Sequence, residues 1–192
     1  MGIVLDVTGS PPRPPWLRAL SRLDEPWLRQ GLHNGHAGAV KIVLWARGFR
    51  PDEAFRQRIA DCPNTTELER RLVRALVVEE AEEIFSAPIE CPELLSTLSE
   101  HDADYWPPSL IRYAEASAEN DADEDVEPTF EDFHSHGMAK ALYLVTRFRA
   151  WVVDDGARAR IEAGYRGGGL GRWLVRAVRE GSVEEMLAEP EG

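Results

Sequence analysis

The stretch "RIADCPNTTELERRLVRALVVEEAEEIF" at Arg58–Phe85 returns 102 positions later as "RIEAGYRGGGLGRWLVRAVREGSVEEML" at Arg160–Leu187. Set side by side without a gap, residues 55–85 and 157–187 share eleven of thirty-one positions. The shared residues keep Arg-x-Arg-Ile, Leu-x-Arg-x-Leu-Val-Arg-Ala and Glu-Glu in one register. Leu68, Leu72 and Ala75, matched by Leu170, Leu174 and Ala177, recur at helical spacing and so mark a buried stripe in each copy. Helices are therefore predicted at both places, and their recurrence predicts an internal duplication of about 50 residues.

Upstream, "GAVKIVLWARGFR" from Gly38 aligns with "GMAKALYLVTRFR" from Gly137 at a displacement of 99, so a three-residue insertion is needed to reach 102. Val40, Val43 and Leu44 form one stripe, and Gly48 followed by Phe49 suits a helix closed by glycine with an apolar residue behind it. Pro51 permits a new helix, with Phe55 and Ile59 on one face. Thr66 and Glu69 have the spacing of a capping box. The β-branched run "LYLVTRFRAWVV" at 142–153 would suit a strand by itself, but its counterpart ends at a helical glycine stop, which favours helix. The fold class expected is all-α. It divides into N-terminal helices at 1–33, a first unit at 34–90, a connector at 91–128 and a second unit at 129–192.

The 192 residues, 43% of them apolar, suffice for a core. No apolar run long enough for a membrane span occurs, and "MGIVLDVTGSPPRPP" lacks the basic and apolar segments of a signal peptide. A cytoplasmic protein without a membrane role is expected. Cys62 and Cys91 make neither a disulfide framework nor a zinc knuckle, and read as reduced thiols. The net charge of -12 argues against direct nucleic-acid binding. It is concentrated at 79–135, where eighteen acids face only Arg112. Within that segment "ENDADEDVE" (119–127) has six carboxylates and no cation, which predicts a solvated linker. Asp121, Asp123, Glu124, Asp125 and Glu127 are its candidate interaction residues.

The residues Ala46-Arg47-Gly48, Arg56-x-Arg58-Ile59-x-x-Cys62, Leu68-Glu69-x-x-Leu72-x-Arg74-Ala75 and Glu83-Ile84-Phe85 resemble the helical carboxyl-terminal segment of bacterial Rpn-type proteins, the recombination-promoting nuclease family. Arg160-Ile161, Leu170, Trp173-Leu174, Arg176-Ala177 and Ser182-Val183-Glu184-Glu185 carry the resemblance a second time. The family implies a DNA endonuclease whose metal sits on acidic residues followed by an (Asp/Glu)-x-Lys triplet. Here Ala39-Val40 precede Lys41 and Met138-Ala139 precede Lys140, so neither lysine completes the triplet. The resemblance then implies the helical segment alone, present twice, without the nuclease.

Two further constellations carry chemistry. "HNGH" (His33, His36) and "HSHG" (His134, His136) precede the two long helices. Around a two-fold axis these four imidazoles would converge on a metal, with Asp132 as a carboxylate ligand, although loop histidines without that role fit the same pattern. "GYRGGGLGR" offers backbone amides at a helix start beside Arg166 and Arg172, with Gly168 and Gly169 between, as an anion-binding site would need; an ordinary loop fits equally. Arg70, Arg71, Arg74, Arg172, Arg176 and Arg179 read as solvated helix faces.

These observations favour a non-catalytic helical-repeat interaction or regulatory protein with a protein partner and no cofactor, linked through the family resemblance to mobile-element or defence systems. Two alternatives stand beside it: an acidic inhibitor of a nuclease, either an immunity protein or a DNA mimic, and a metal-dependent enzyme on the histidine cluster.

Overall fold

The computed structural model describes residues 26–86 and 129–188, and these are helical, with no strand among the described residues. In chain order the elements are α1 (Pro26–Ala46), α2 (Glu53–Ala60), α3 (Thr65–Ala75), a 3₁₀ turn (Ala81–Phe85), α4 (Phe130–Phe148), α5 (Asp155–Gly167), α6 (Leu170–Arg179) and α7 (Val183–Leu187). The long helices α1 and α4 pack on each other, α3 lies against both, and α6 does the same on the opposite flank. Leu44, Ile59, Leu68 and Leu72 are fully buried, as are Leu142, Leu144, Ile161 and Leu174. Each such side chain contributes about 2 kcal/mol by leaving water.

α1 and α4 approach closely because glycines line their contact. A Cβ at Gly35 would lie 2.2 Å from the His134 carbonyl oxygen, and one at Gly137 would lie 2.5 Å from the Leu32 carbonyl oxygen. The two contacts are reciprocal: Gly137 stands 102 positions after Gly35, and His134 stands 102 after Leu32. "HNGHAG" therefore does not break the chain into two helices. α1 runs unbroken across residues 33 and 34, where the sequence suggested a boundary between units.

The helix ends recur at the same displacement of 102. Gly48 has φ 94 and Ala150 has φ 55. Behind them the Phe49 amide donates to the Leu44 carbonyl at 3.0 Å, and the Trp151 amide donates to the Thr146 carbonyl at 2.9 Å. The next helices start on Asp52, which accepts from the Phe55 amide at 2.8 Å, and Asp154, which accepts from the Ala157 amide at 2.7 Å. Arg47 donates to the Ala75 carbonyl, and Arg149 donates to the Val178 and Glu180 carbonyls. The displacement of 99 read from Phe49-Arg50 and Phe148-Arg149 is thus corrected: at the helix ends Phe49 corresponds to Trp151, and no insertion is required. Residues 142–148 continue α4 as helix, not strand.

Local capping also departs from the sequence reading. α3 starts on Asn64, which accepts from the Glu67 amide at 2.8 Å, so Thr66 and Glu69 form no capping box. Asn64 wins because it follows Pro63 directly and its short amide side chain reaches the amide three residues on. Arg74, expected on a solvated face, is 3% exposed and donates to the Ile84 carbonyl at 2.8 Å. Arg176, its counterpart, donates to the Ala188 carbonyl.

Candidate functional site

Among the described residues the four histidines are not gathered into one group. Among the described residues no group of three or more His, Cys, Asp or Glu side chains could hold a metal ion. His33 Nε2 faces the Cys62 carbonyl at 2.7 Å. His36 Nδ1 faces the Leu32 carbonyl at 3.0 Å, and its Nε2 lies 3.4 Å from Glu69 Oε1. His136 is buried in α4, and Asp132 closes a capping box with Thr129. The four imidazoles are spread along the continuous helices α1 and α4. The free Cys62 is buried and donates to the Asn64 carbonyl at 3.5 Å.

One titratable cluster does form between the halves. Glu69 of α3 meets His36 of α1 and, at 3.7 Å, Lys140 Nζ of α4. Burial pushes the Glu69 carboxyl up, but the His36 ring and the Lys140 ammonium outweigh it and hold the carboxyl below its ordinary 4.5. At 3.4 Å the His36 contact is at the long limit for a hydrogen bond. The cluster joins three helices and exposes little of itself.

The glycine-rich stretch forms the turn between α5 and α6. Gly168, with φ 66, is the left-handed stop of α5, and Gly169 is the N-cap of α6 with no side-chain cap. Gly169 packs against the Trp173 ring, so these glycines make a tight turn between helices. The side chain of Arg166 lies outside the described set, as do Asp121, Asp123, Glu124, Asp125 and Glu127. Arg172 does reach a site, though a different one.

That site is a groove of about 550 Å³ where α1, the turn after it and α6 meet. Ile42, Trp45, Phe49 and Val175 supply an apolar floor, and Lys41, Arg50, Arg56 and Arg172 stand around it. Trp45 is 48% exposed, a large apolar area to leave in water. The Arg50 and Arg179 guanidinium groups lie 5.5 Å and 5.4 Å from its ring centroid, within cation–π range. Arg50 also donates to the Trp45 and Phe49 carbonyls, and Arg179 donates to the Ala46 carbonyl. Arg56 is neutralised by Glu53 at 2.6 Å. No carboxylate among the described residues pairs with Lys41, Arg50, Arg172 or Arg179. The Arg50 and Arg179 guanidinium groups thus flank a half-exposed tryptophan, and Lys41 and Arg172 line the same groove. The sequence hinted at this through Lys41, Ile42 and Trp45 on one helix, but only the fold brings Arg172 and Val175 beside them.

The positions displaced by 102 form a contrasting region. Leu144, Tyr143 and Val73 stand in place of Ile42, Lys41 and Val175, and all three are buried. Arg147 replaces Trp45, and the Glu69 carboxylate stands in place of Gly171. His36 and Lys140 correspond likewise to Met138 and Gly38, where a Cβ at Gly38 would lie 3.7 Å from Met138 Sδ.

Compared with protein-family models, curated proteins and solved structures, the chain matches none. No helix among the described residues is long and apolar enough to cross a membrane.

Proposed function

We propose that this chain is a non-catalytic interaction or regulatory protein, cytoplasmic, built from an internally duplicated helical unit in which one copy keeps an open groove for a protein partner. The observation that carries this reading is the asymmetry between equivalent regions. Lys41, Ile42 and Val175 line an open groove with Trp45, whereas their counterparts Tyr143, Leu144 and Val73 are buried and Trp45's counterpart is the exposed, charged Arg147. Exposed tryptophan and arginine in a concave site are the side chains that dominate protein-partner affinity. The Rpn-like helical segments, without the (Asp/Glu)-x-Lys triplet, agree with a role that needs no chemistry.

The test is site-specific photo-crosslinking in the native host, with a photoreactive phenylalanine analogue at position 45 or 147. A discrete crosslinked protein from position 45, absent from position 147, is expected. Equal crosslinking from both, or none from position 45, sinks the reading. A second reading, an acidic inhibitor of a nuclease, is favoured by the six carboxylates at 119–127. Replacing them with Ser and Gly would cost an inhibitor orders of magnitude in affinity and would leave a groove-bound partner attached.

A further inference from the structure

Resting on the interaction reading, we infer that the Trp45 groove binds a short acidic protein segment that places an apolar side chain on the Ile42–Trp45 floor. Charge and shape select this partner together. Lys41, Arg50, Arg172 and Arg179 have no carboxylate partner among the described residues, so the rim attracts anions. Residues 26–86 and 129–188 hold eighteen basic and seventeen acidic side chains, so this body is close to neutral and the rim is a local excess. A purely anionic ligand would leave the floor of Ile42, Trp45, Phe49 and Val175 uncovered. A purely apolar ligand would strip water from the surrounding cations without pairing them, at a cost that specificity can exploit.

Nucleic acid fits less well. Phosphate backbones are gripped by extended basic surfaces, whereas this groove of about 550 Å³ has a compact apolar floor. The whole-chain charge of -12 also repels a long polyanion more than a short peptide. An acidic segment with leucine or phenylalanine among its carboxylates satisfies floor and rim at once. Its carboxylates meet guanidinium groups in the geometry that favours arginine over lysine.

The experiment uses the full chain and a fluorescein-labelled synthetic peptide in which aspartate and glutamate alternate with leucine and phenylalanine, followed by fluorescence anisotropy. Saturable binding that weakens with added salt is expected. Trp45→Ala, and separately Arg50→Glu with Arg172→Glu, should each weaken it about tenfold or more. Circular dichroism checks that the variants keep their helices, and Lys41→Glu, which touches no described partner, supplies a rim variant without risk to the core. Equal binding of a peptide with serine in place of the leucine and phenylalanine overturns the inference, as does tighter binding of a single-stranded oligonucleotide of matched charge. Absence of peptide binding while the position 45 crosslink persists rejects the acidic chemistry and leaves the interaction reading standing. Absence of both rejects both.

Discussion

The two flanks where α1 and α4 meet the shorter helices answer one geometric problem differently. Where α3 packs on α1 and α4 the chain places Glu69, His36 and Lys140, and the neighbouring Tyr143, Leu144 and Val73 are buried. Between α1 and α6 the corresponding positions hold Gly171, Met138 and Gly38, and a groove stays open over Ile42 and Trp45. One flank is pinned by charge; the other is hollowed by glycine. Positions displaced by 102 therefore differ in surface: a carboxylate stands at 69 and a glycine at 171.

The largest expected effect comes from the seam that both flanks share. Gly35→Ala or Gly137→Ala would drive a Cβ into a backbone carbonyl, at 2.2 Å and 2.5 Å respectively, and backbone within a packed helix pair yields little. Either substitution should cost about 3 kcal/mol or more, enough to remove a large part of the stability of a small domain. Thermal denaturation followed by circular dichroism measures this. A pair of variants with wild-type midpoints would break the reciprocal contact on which the comparison depends.

Next comes the charged flank. Glu69→Gln removes the carboxylate shared by His36 and Lys140, and should cost about 2 kcal/mol at neutral pH. The sign of the pH dependence follows from the depressed Glu69 carboxyl. Its contribution is present above the ordinary value of 4.5 and is lost as pH falls through the lower value in the folded chain. The stability gap between wild type and Glu69→Gln should therefore narrow as pH falls below 4.5; a gap that is flat or widening there contradicts the ion-pair account.

Gly171→Glu transfers the acid of the pinned flank to the open one. A Cβ at Gly171 finds its nearest neighbours, Ile42 Cδ1 and Met138 Cε, at 3.5 Å and 3.8 Å, so the backbone accepts a side chain there. The new carboxylate would lie beside Arg172 and Lys41 and lower the positive potential of the rim. Binding of the acidic peptide should weaken about tenfold with helicity unchanged. Unchanged affinity would show that rim charge does not select the ligand.

The helices and much of the core were legible in the sequence, because Leu68, Leu72 and Ala75 and their counterparts obey helical spacing and are buried in both halves. What escaped was non-local. Gly35 and Gly137 look like turn residues until another helix backbone is laid against them. Arg74 and Arg176 look solvated until carbonyl groups at the ends of the following turns need donors. Phe148-Arg149 imitates Phe49-Arg50 closely enough to shift an alignment by three residues, and only the backbone bonds at the helix ends correct it. The groove was invisible for the same reason: Trp45 and Arg172 are distant in sequence and adjacent only across the α1–α6 packing.

The smallest effect separates the two helix stops. Gly48 and Ala150 both adopt positive φ, 94 and 55, and close α1 and α4 through matching bonds. Glycine bears that conformation without penalty, whereas a side chain crowds its own carbonyl. No atom lies within 4 Å of a Cβ placed at Gly48, so Gly48→Ala tests backbone conformation without a packing clash. It should destabilise by about 1 kcal/mol. Ala150→Gly, at an exposed site, should shift stability the other way by up to about 1 kcal/mol, since relief of the left-handed strain exceeds the added freedom of glycine in the unfolded chain. Opposite signs would establish that the second stop retains the geometry of the first while lacking its residue. Equal signs would mean that the two ends of α1 and α4 are held by different forces, and the correspondence at 102 would then extend to the fold but not to its energetics.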